Sequence, residues 1–344
     1  MKMNNRPVKI PVVSCRRKSG DNNGSHENLG YRLDRCRGES EKTANEPIER
    51  DVCGIVPLGL APEARIIGGT VARRGSWPWQ VSFEFLDDVV YTMYCGGSII
   101  TNYWVLTAAH CFNGKLSVIR KWRVVAGVNN VKNPEATVQI SNISLKSNWS
   151  FDAKLRYNDI AVVRLETPVV FNNFVQPICL TEDYSKLDFL NCHISGWGVT
   201  STSTDAEASD VLRTAKVKIF SDEQCINALH LYKKDYMICA GLEDGAVDAC
   251  QGDSGGPLQC TDKIGKYYLV GITSFGRGCA EKGFPGIYTK VSKYKNCVNE
   301  FIKAHPVLFN GNQPESGSTA LVHGKLGILA MQVLAQLLLL GFVF

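Results

Sequence analysis

From Trp79 onward the chain is cut into short apolar or alternating runs, most of them bounded by Gly, Asn, Pro or Asp. They read WQVSFEF, KWRVVAG, IAVVRLE, CHISGWG, TAKVKIF, YYLVGITSFG and GIYTKV. Runs this short, rich in Val, Ile, Thr and aromatic residues, suit half-buried strands better than helices. They predict an all-β protein, either a sandwich or a barrel. Two stretches carry helical signals instead. In SDEQCINAL, Ser221 is followed three residues later by Gln224, the spacing of a capping box. In SKYKNCVNEFIKA, Cys297, Val298, Phe301 and Ile302 share one helical face, which predicts a closing helix.

The strand-like texture starts after Arg65. Residues 1–65 are polar and charged, lack periodic apolar segments, and read as a flexible pro-region. Six basic and no acidic residues fall within residues 1–20, but without interleaved aromatics this is a solvated tail rather than a nucleic-acid arm. Residues 305–325 form a polar stalk. Residues 326–344 carry no charge and are long enough for a bilayer span. Ser316, Gly317 and Ser318 ahead of that tail also fit a GPI-attachment signal, and the missing cationic anchor after it favours GPI over a true span.

Thirteen cysteines are many for a reducing compartment. They lack the paired spacing of a zinc site, so a disulfide framework and no metal are expected. Sequons at Asn23, Asn142 and Asn148 point the same way, with Asn142 and Asn148 as the expected glycosylation sites. Secretion calls for an apolar leader, yet residues 1–15 carry lysines and prolines. A leader encoded elsewhere in the gene is therefore expected. The expected location is the extracellular face of the cell surface, or an acrosomal or other secretory compartment, with membrane attachment through the tail.

Three further motifs carry chemistry. A serine is a weak nucleophile unless a base sits beside it and a third group orients that base. DACQGDSGGPL supplies Ser254, TAAHC supplies His110, and NDIAVVRL supplies Asp159. Each alone has an ordinary reading: a tight turn, a surface histidine, a strand-entry aspartate. All three contexts together, in the order His, Asp, Ser, are far more specific.

On these motifs, residues 66–304 resemble a trypsin-like serine protease of the chymotrypsin fold. That resemblance implies two six-stranded antiparallel β-barrels with a C-terminal helix. It implies that His110, Asp159 and Ser254 form a catalytic triad, with the backbone N–H groups of Gly252 and Ser254 as the oxyanion hole. Asp248 would sit at the base of the primary pocket and select Arg or Lys. Ser274, Gly276 and Gly286 would border it. Ala249 stands where trypsin has a serine that helps hold lysine, which favours Arg over Lys. APEARIIGGT resembles a zymogen cleavage site after Arg65. The freed Ile66 ammonium would then pair with Asp253 and order the pocket.

The resemblance also implies the bridges Cys53–Cys179, Cys95–Cys111, Cys192–Cys260, Cys225–Cys239 and Cys250–Cys279, the first tethering the pro-region. Cys15–Cys36 is conceivable. Cys297 stands where the family usually has tryptophan and is either a buried thiol or an intermolecular link. Phe275 replaces a tryptophan beside the substrate strand. The acids of trypsin's calcium loop are mostly missing from AGVNNVKNPEATV, and Pro285 resembles members without a sodium-sensitive loop, so no cofactor is expected. Expected partners are protein or peptide substrates, an activating trypsin-like protease, serine protease inhibitors and the membrane, but no nucleic acid. CGIVPLG, SWPWQVSF and the hydrophobic tail are similar to acrosin and the transmembrane serine protease twelve group. The alternative is a protease-fold binding or adhesion protein without turnover.

Overall fold

The computed structural model describes residues 53–59, 69–135, 137–147, 151–182, 191–199, 207–242, 245, 251–278 and 281–307. Its compact unit runs to His305.

The expected all-β architecture is present, as two closed barrels of six antiparallel strands. The first uses β2 (Gln80–Asp87), β3 (Val90–Ile99), β4 (Trp104–Thr107), β5 (Trp122–Ala126), β6 (Gln139–Lys146) and β7 (Ala161–Leu165). Around the barrel the order is β2-β3-β4-β7-β6-β5, closed by the pairing of β5 with β2. The second uses β9 (Asn191–Gly196), β10 (Arg213–Ile219), β11 (Met237–Gly241), β12 (Pro257–Thr261), β13 (Tyr267–Phe275) and β14 (Gly286–Lys290). Its order is β9-β10-β11-β14-β13-β12, closed by β12 on β9. Two short strands lie outside the rings: β1 (Thr70–Val71) pairs with β10, and β8 (Cys179–Leu180) pairs in parallel with β13.

The alternation seen in the sequence has a physical outcome here. Val81, Phe83 and Phe85 of β2 point inward and are buried, packed around Trp122. The Phe83, Phe85 and Phe112 rings meet Trp122 edge-on at centroid distances of 6.2, 5.2 and 5.2 Å. Such pairs add roughly 0.5–1.5 kcal/mol each beyond area burial. The second barrel is filled mostly by aliphatic residues, among them Ile194, Val217, Ile238, Leu258 and Val270, packed with Tyr288.

Both helical segments fold as expected. α1 (Asp222–Ala228) is capped by Ser221, whose Oγ accepts from the Gln224 N–H while Gln224 Oε1 accepts from the Ser221 N–H. α2 (Val291–Ala304) follows β14 directly and buries Tyr294, Cys297 and Val298. Its Phe301 meets Trp104 of β4 edge-on at 5.9 Å, so the helix that leaves the second barrel packs on the first.

A buried polar chain also joins the barrels. Trp79 Nε1 donates to Gln259 Oε1, Gln259 Nε2 to Ser195 Oγ (2.9 Å), and Ser195 Oγ to Gln80 Oε1 (2.7 Å). Burying polar groups is tolerable when they find partners; among these side chains Gln80 Nε2 alone lacks one, and the remaining bonds fix one barrel against the other.

Four disulfides occur among the described residues: Cys53–Cys179, Cys95–Cys111, Cys192–Cys260 and Cys225–Cys239. Cys250, Cys279, Cys15 and Cys36 lie outside them. Cys297 is buried and not disulfide-bonded.

Candidate functional site

His110 and Asp159 reach each other because their strands are neighbours. β4 and β7 are antiparallel, with Thr107 opposite Ala161. The end of β4 and the start of β7 therefore lie at one rim of the barrel. His110 follows β4 on a single 3₁₀ turn (Ala109–Phe112), and Asp159 precedes β7. The Cys95–Cys111 bridge ties that turn back to β3.

The Asp159 side chain is 2 % exposed and its carboxylate accepts three hydrogen bonds. Oδ1 takes the His110 backbone N–H at 2.9 Å. Oδ2 takes His110 Nδ1 at 2.7 Å and the Ser274 hydroxyl. A carboxylate can only accept, so Nδ1 donates this bond, and in the neutral ring the lone pair is then on Nε2. The backbone of Asp159 is held from the other barrel, where Thr289 Oγ1 of β14 donates to its carbonyl at 2.8 Å. Asn158, in a left-handed conformation at φ 59°, accepts from Tyr294 of α2 at 2.9 Å.

Ser254 belongs to the second barrel, just ahead of β12. Its carbonyl accepts from the Gly96 N–H of β3 at 2.8 Å. Next to it Gly255, at φ 79°, donates to Thr273 at 2.8 Å. A Cβ on Gly255 would stand 2.2 Å from Thr107 Oγ1 and 2.6 Å from the Gly96 carbonyl. That approach is too close for any side chain, so the second glycine of GDSGG allows the loop to press against the end of β4 beside His110. Gly252 takes φ 98°, open to glycine but costly for other residues. Gly252 and Ser254 donate no backbone hydrogen bond to another described residue, which leaves both N–H groups available to a ligand. Asp253 Oδ1 accepts from the Gly198 N–H at 2.8 Å.

A cavity of about 340 Å³ opens between these groups, lined by His110, Ser254, Ser274, Phe275, Gly276 and Gly286 among others. His110 and Ser254 face the same space, and no hydrogen bond joins their side chains. Such bonds are often long before substrate binds. The arrangement offers a basic imidazole nitrogen, an adjacent hydroxyl and two unengaged amides around one void, the parts needed for nucleophilic acyl transfer.

Of the residues singled out in the sequence, His110, Asp159, Ser254, Gly252, Asp253, Ser274, Gly276 and Gly286 lie at or beside this void. Ser274 lines the cavity, and its hydroxyl donates to Asp159. Asp248, Ala249, Arg65, Ile66 and Asn148 lie outside the described residues, as do residues 308–344. Asn142 is exposed on β6. Among the described residues no helix is long and apolar enough to cross a membrane. Cys95, His110 and Cys111 bring ligating atoms within 4.8 Å of one another, but both sulfurs are consumed in the Cys95–Cys111 bond and offer no thiolate.

Sequence reading gave no role to Thr107, Thr289, Asn158 or Tyr294. Nothing in local spacing marks them, because each acts through a contact with a distant strand. The Trypsin family model matches residues 66–298, more than half of the chain. With two six-stranded barrels and a His–Asp pair facing Ser254 across a cavity, the chain belongs to the trypsin family of serine proteases.

Proposed function

We propose that this protein is the zymogen of a serine endopeptidase, activated by cleavage after Arg65, that cuts after arginine in preference to lysine. The observation that carries this reading is the 2.7 Å bond from His110 Nδ1 to a buried Asp159 carboxylate, with Ser254 across the same cavity. Ser254 Oγ attacks the scissile carbonyl while His110 Nε2 takes its proton. The carbonyl electrons move onto oxygen, and the N–H groups of Gly252 and Ser254 hold the oxyanion. Losing one such donor costs about 3 kcal/mol of transition-state stabilisation. His110 then returns the proton to the leaving amine, the C–N bond breaks, and an acyl-enzyme remains on Ser254. Water, activated by the same imidazole, attacks the ester and regenerates the serine. Asp159 holds the ring in place and stabilises the imidazolium.

Activation and specificity follow from residues flanking Ser254. The ammonium freed at Ile66 pairs with Asp253, next to the oxyanion amides, and completes the pocket. Asp248 binds the substrate guanidinium, and Ala249, lacking a hydroxyl, gives lysine less support. The enzyme acts on proteins and peptides, is switched on by another trypsin-like protease, and is restrained by serine protease inhibitors. It works outside the cytosol, held to a membrane through residues 326–344, and resembles the acrosin and transmembrane serine protease twelve groups.

Labelling with a fluorophosphonate tests the reading. Protein cut after Arg65 takes up one label at Ser254 and hydrolyses arginyl peptides. The Arg65→Gln precursor does neither at the mature rate. Cut protein that remains unlabelled would overturn the proposal.

A further inference from the structure

We propose that Arg156 makes this protein select substrates with an acidic side chain shortly before the cleaved arginine. The inference rests on the protease reading above. Arg156 lies in residues 151–158, between β6 and β7, and lines the same cavity as His110 and Ser254. This segment is fastened at several points. Asp152 Oδ1 accepts the N–H groups of Lys154 and Leu155 at 2.9 and 2.8 Å, and the Asp152 carbonyl accepts that of Arg156 at 2.7 Å. Phe151 lies against His110, and Tyr157 against Tyr236. The outcome is that Arg156 adopts φ 57°, a left-handed conformation that costs a non-glycine residue about 1–2 kcal/mol. Strain of this kind, next to a reactive centre, points to a role for the side chain it presents.

That side chain is set up for an anion. The guanidinium carbon lies 5.4 Å from the centroid of the Phe275 ring. Phe275 ends β13, directly after Ser274 and before Gly276, and lines the same cavity as Arg156. Stacking on an aromatic face orients the guanidinium and leaves its N–H edges open. Arg156 is exposed and has no carboxylate within ion-pair distance among the described residues, and the Asp152 carboxylate is engaged by the two backbone amides. An Arg edge without a partner matches a substrate carboxylate in two-pronged geometry. The chain itself contains such a sequence: in Pro62-Glu63-Ala64-Arg65, Glu63 is the third residue before the activation bond.

The test uses the full chain cut after Arg65 with immobilised trypsin, which is then removed. Fluorogenic peptides end in Arg and carry Glu, Gln or Lys at the second, third or fourth residue before the cut, the Pro-Glu-Ala-Arg and Pro-Gln-Ala-Arg pair included. At one or more of these positions kcat/KM for Glu exceeds that for Gln by about fivefold, the size expected of a solvent-accessible ion pair. The Glu/Gln ratio falls to about one in Arg156→Gln, inverts in Arg156→Glu, and shrinks in the wild type at 0.5 M salt. The salt arm needs no variant and stands if a variant fails to fold. Equal rates for Glu and Gln at all three positions, or a preference that survives Arg156→Gln, overturn the inference while leaving the protease reading intact. Failure of the cut protein to hydrolyse any arginyl peptide overturns both.

Discussion

The two barrels share a strand count and differ in how they are held. In the first, Trp122 is fully buried and meets Phe85 and Phe112 at 5.2 Å and Phe83 and Tyr94 at 6.2 Å. Its bridge among the described residues, Cys95–Cys111, is buried in the same core cluster, next to His110. In the second, the central cluster is mostly aliphatic around Tyr288, and the elements are cross-linked by Cys192–Cys260 between β9 and β12 and by Cys225–Cys239 between α1 and β11. The chemical parts divide the same way. The first barrel assembles the base and its orienting acid from two adjacent strands. The second contributes the nucleophile, whose place is set by contacts between barrels: Gly96 to Ser254, Thr289 to Asp159, and the Trp79–Gln259–Ser195–Gln80 chain. The difference teaches that the base and its acid come from adjacent strands of one barrel, with Ser274 and Thr289 of the other bracing the acid, whereas reach to the serine is a property of the interface.

The sharpest way to break that comparison is Asp159→Asn. If the first barrel presets the tautomer, kcat on an arginyl peptide falls about 10⁴-fold, because an amide can donate to Nδ1 and so leave Nε2 protonated. Steady-state kinetics on the cut protein measure this; a loss under tenfold would show that orientation comes from elsewhere.

A smaller effect separates the two modes of stabilisation. Trp122→Ala in the aromatic barrel costs about 4 kcal/mol. Removing the Cys192–Cys260 bridge by double alanine substitution costs about 3 kcal/mol, acting mainly through the unfolded chain. Denaturant titration gives both values. The comparison fails if the bridge variant is as stable as the parent.

The smallest effect concerns His193 of β9. It is buried against Trp77 at a ring distance of 5.4 Å, and neither ring nitrogen has a hydrogen-bond partner. Burial, with Lys216 nearby, pulls its pKa down from 6.5 to about 4. The fold therefore holds this imidazole neutral, while the unfolded chain takes up a proton below pH 6.5. Stability is unaffected above that pH and declines as pH falls from 6.5 towards 4. The total decline is on the order of 3 kcal/mol. Thermal unfolding at steps from pH 7 to 4 should show a shallower decline in His193→Phe than in the parent. Parallel curves would remove His193 as the cause.

The strand-rich fold could be read from local patterning, and so could both helices. The Ser221 capping box and the Cys297–Val298–Phe301–Ile302 face are signals contained within one turn or two. β3, β11 and β12 were harder to see. Each mixes glycine, cysteine or proline with apolar residues, as in PLQCT, and draws its definition from the strands on either side. Much of the site was visible as well, because HC, DI and GDSGG each keep a compact local context. The bond from Ser274 to Asp159 spans 115 residues. No window of sequence contains it: Ser274 reads as a pocket residue, and only the fold adds its bond to the acid.

By itself the sequence determined which parts exist: short amphipathic strands, glycines where the backbone must press close or turn left-handed, and a histidine, an aspartate and a serine in separate motifs. Their period and residue types act over a few residues, where sterics and burial decide. Only the tertiary structure decided that Asp159 takes up three donors, that Gly255 lies against Thr107, and that Arg156 rests on Phe275 with its edges open. Those facts depend on strand register and on how two barrels meet, and such contacts exist only once distant segments exclude water together.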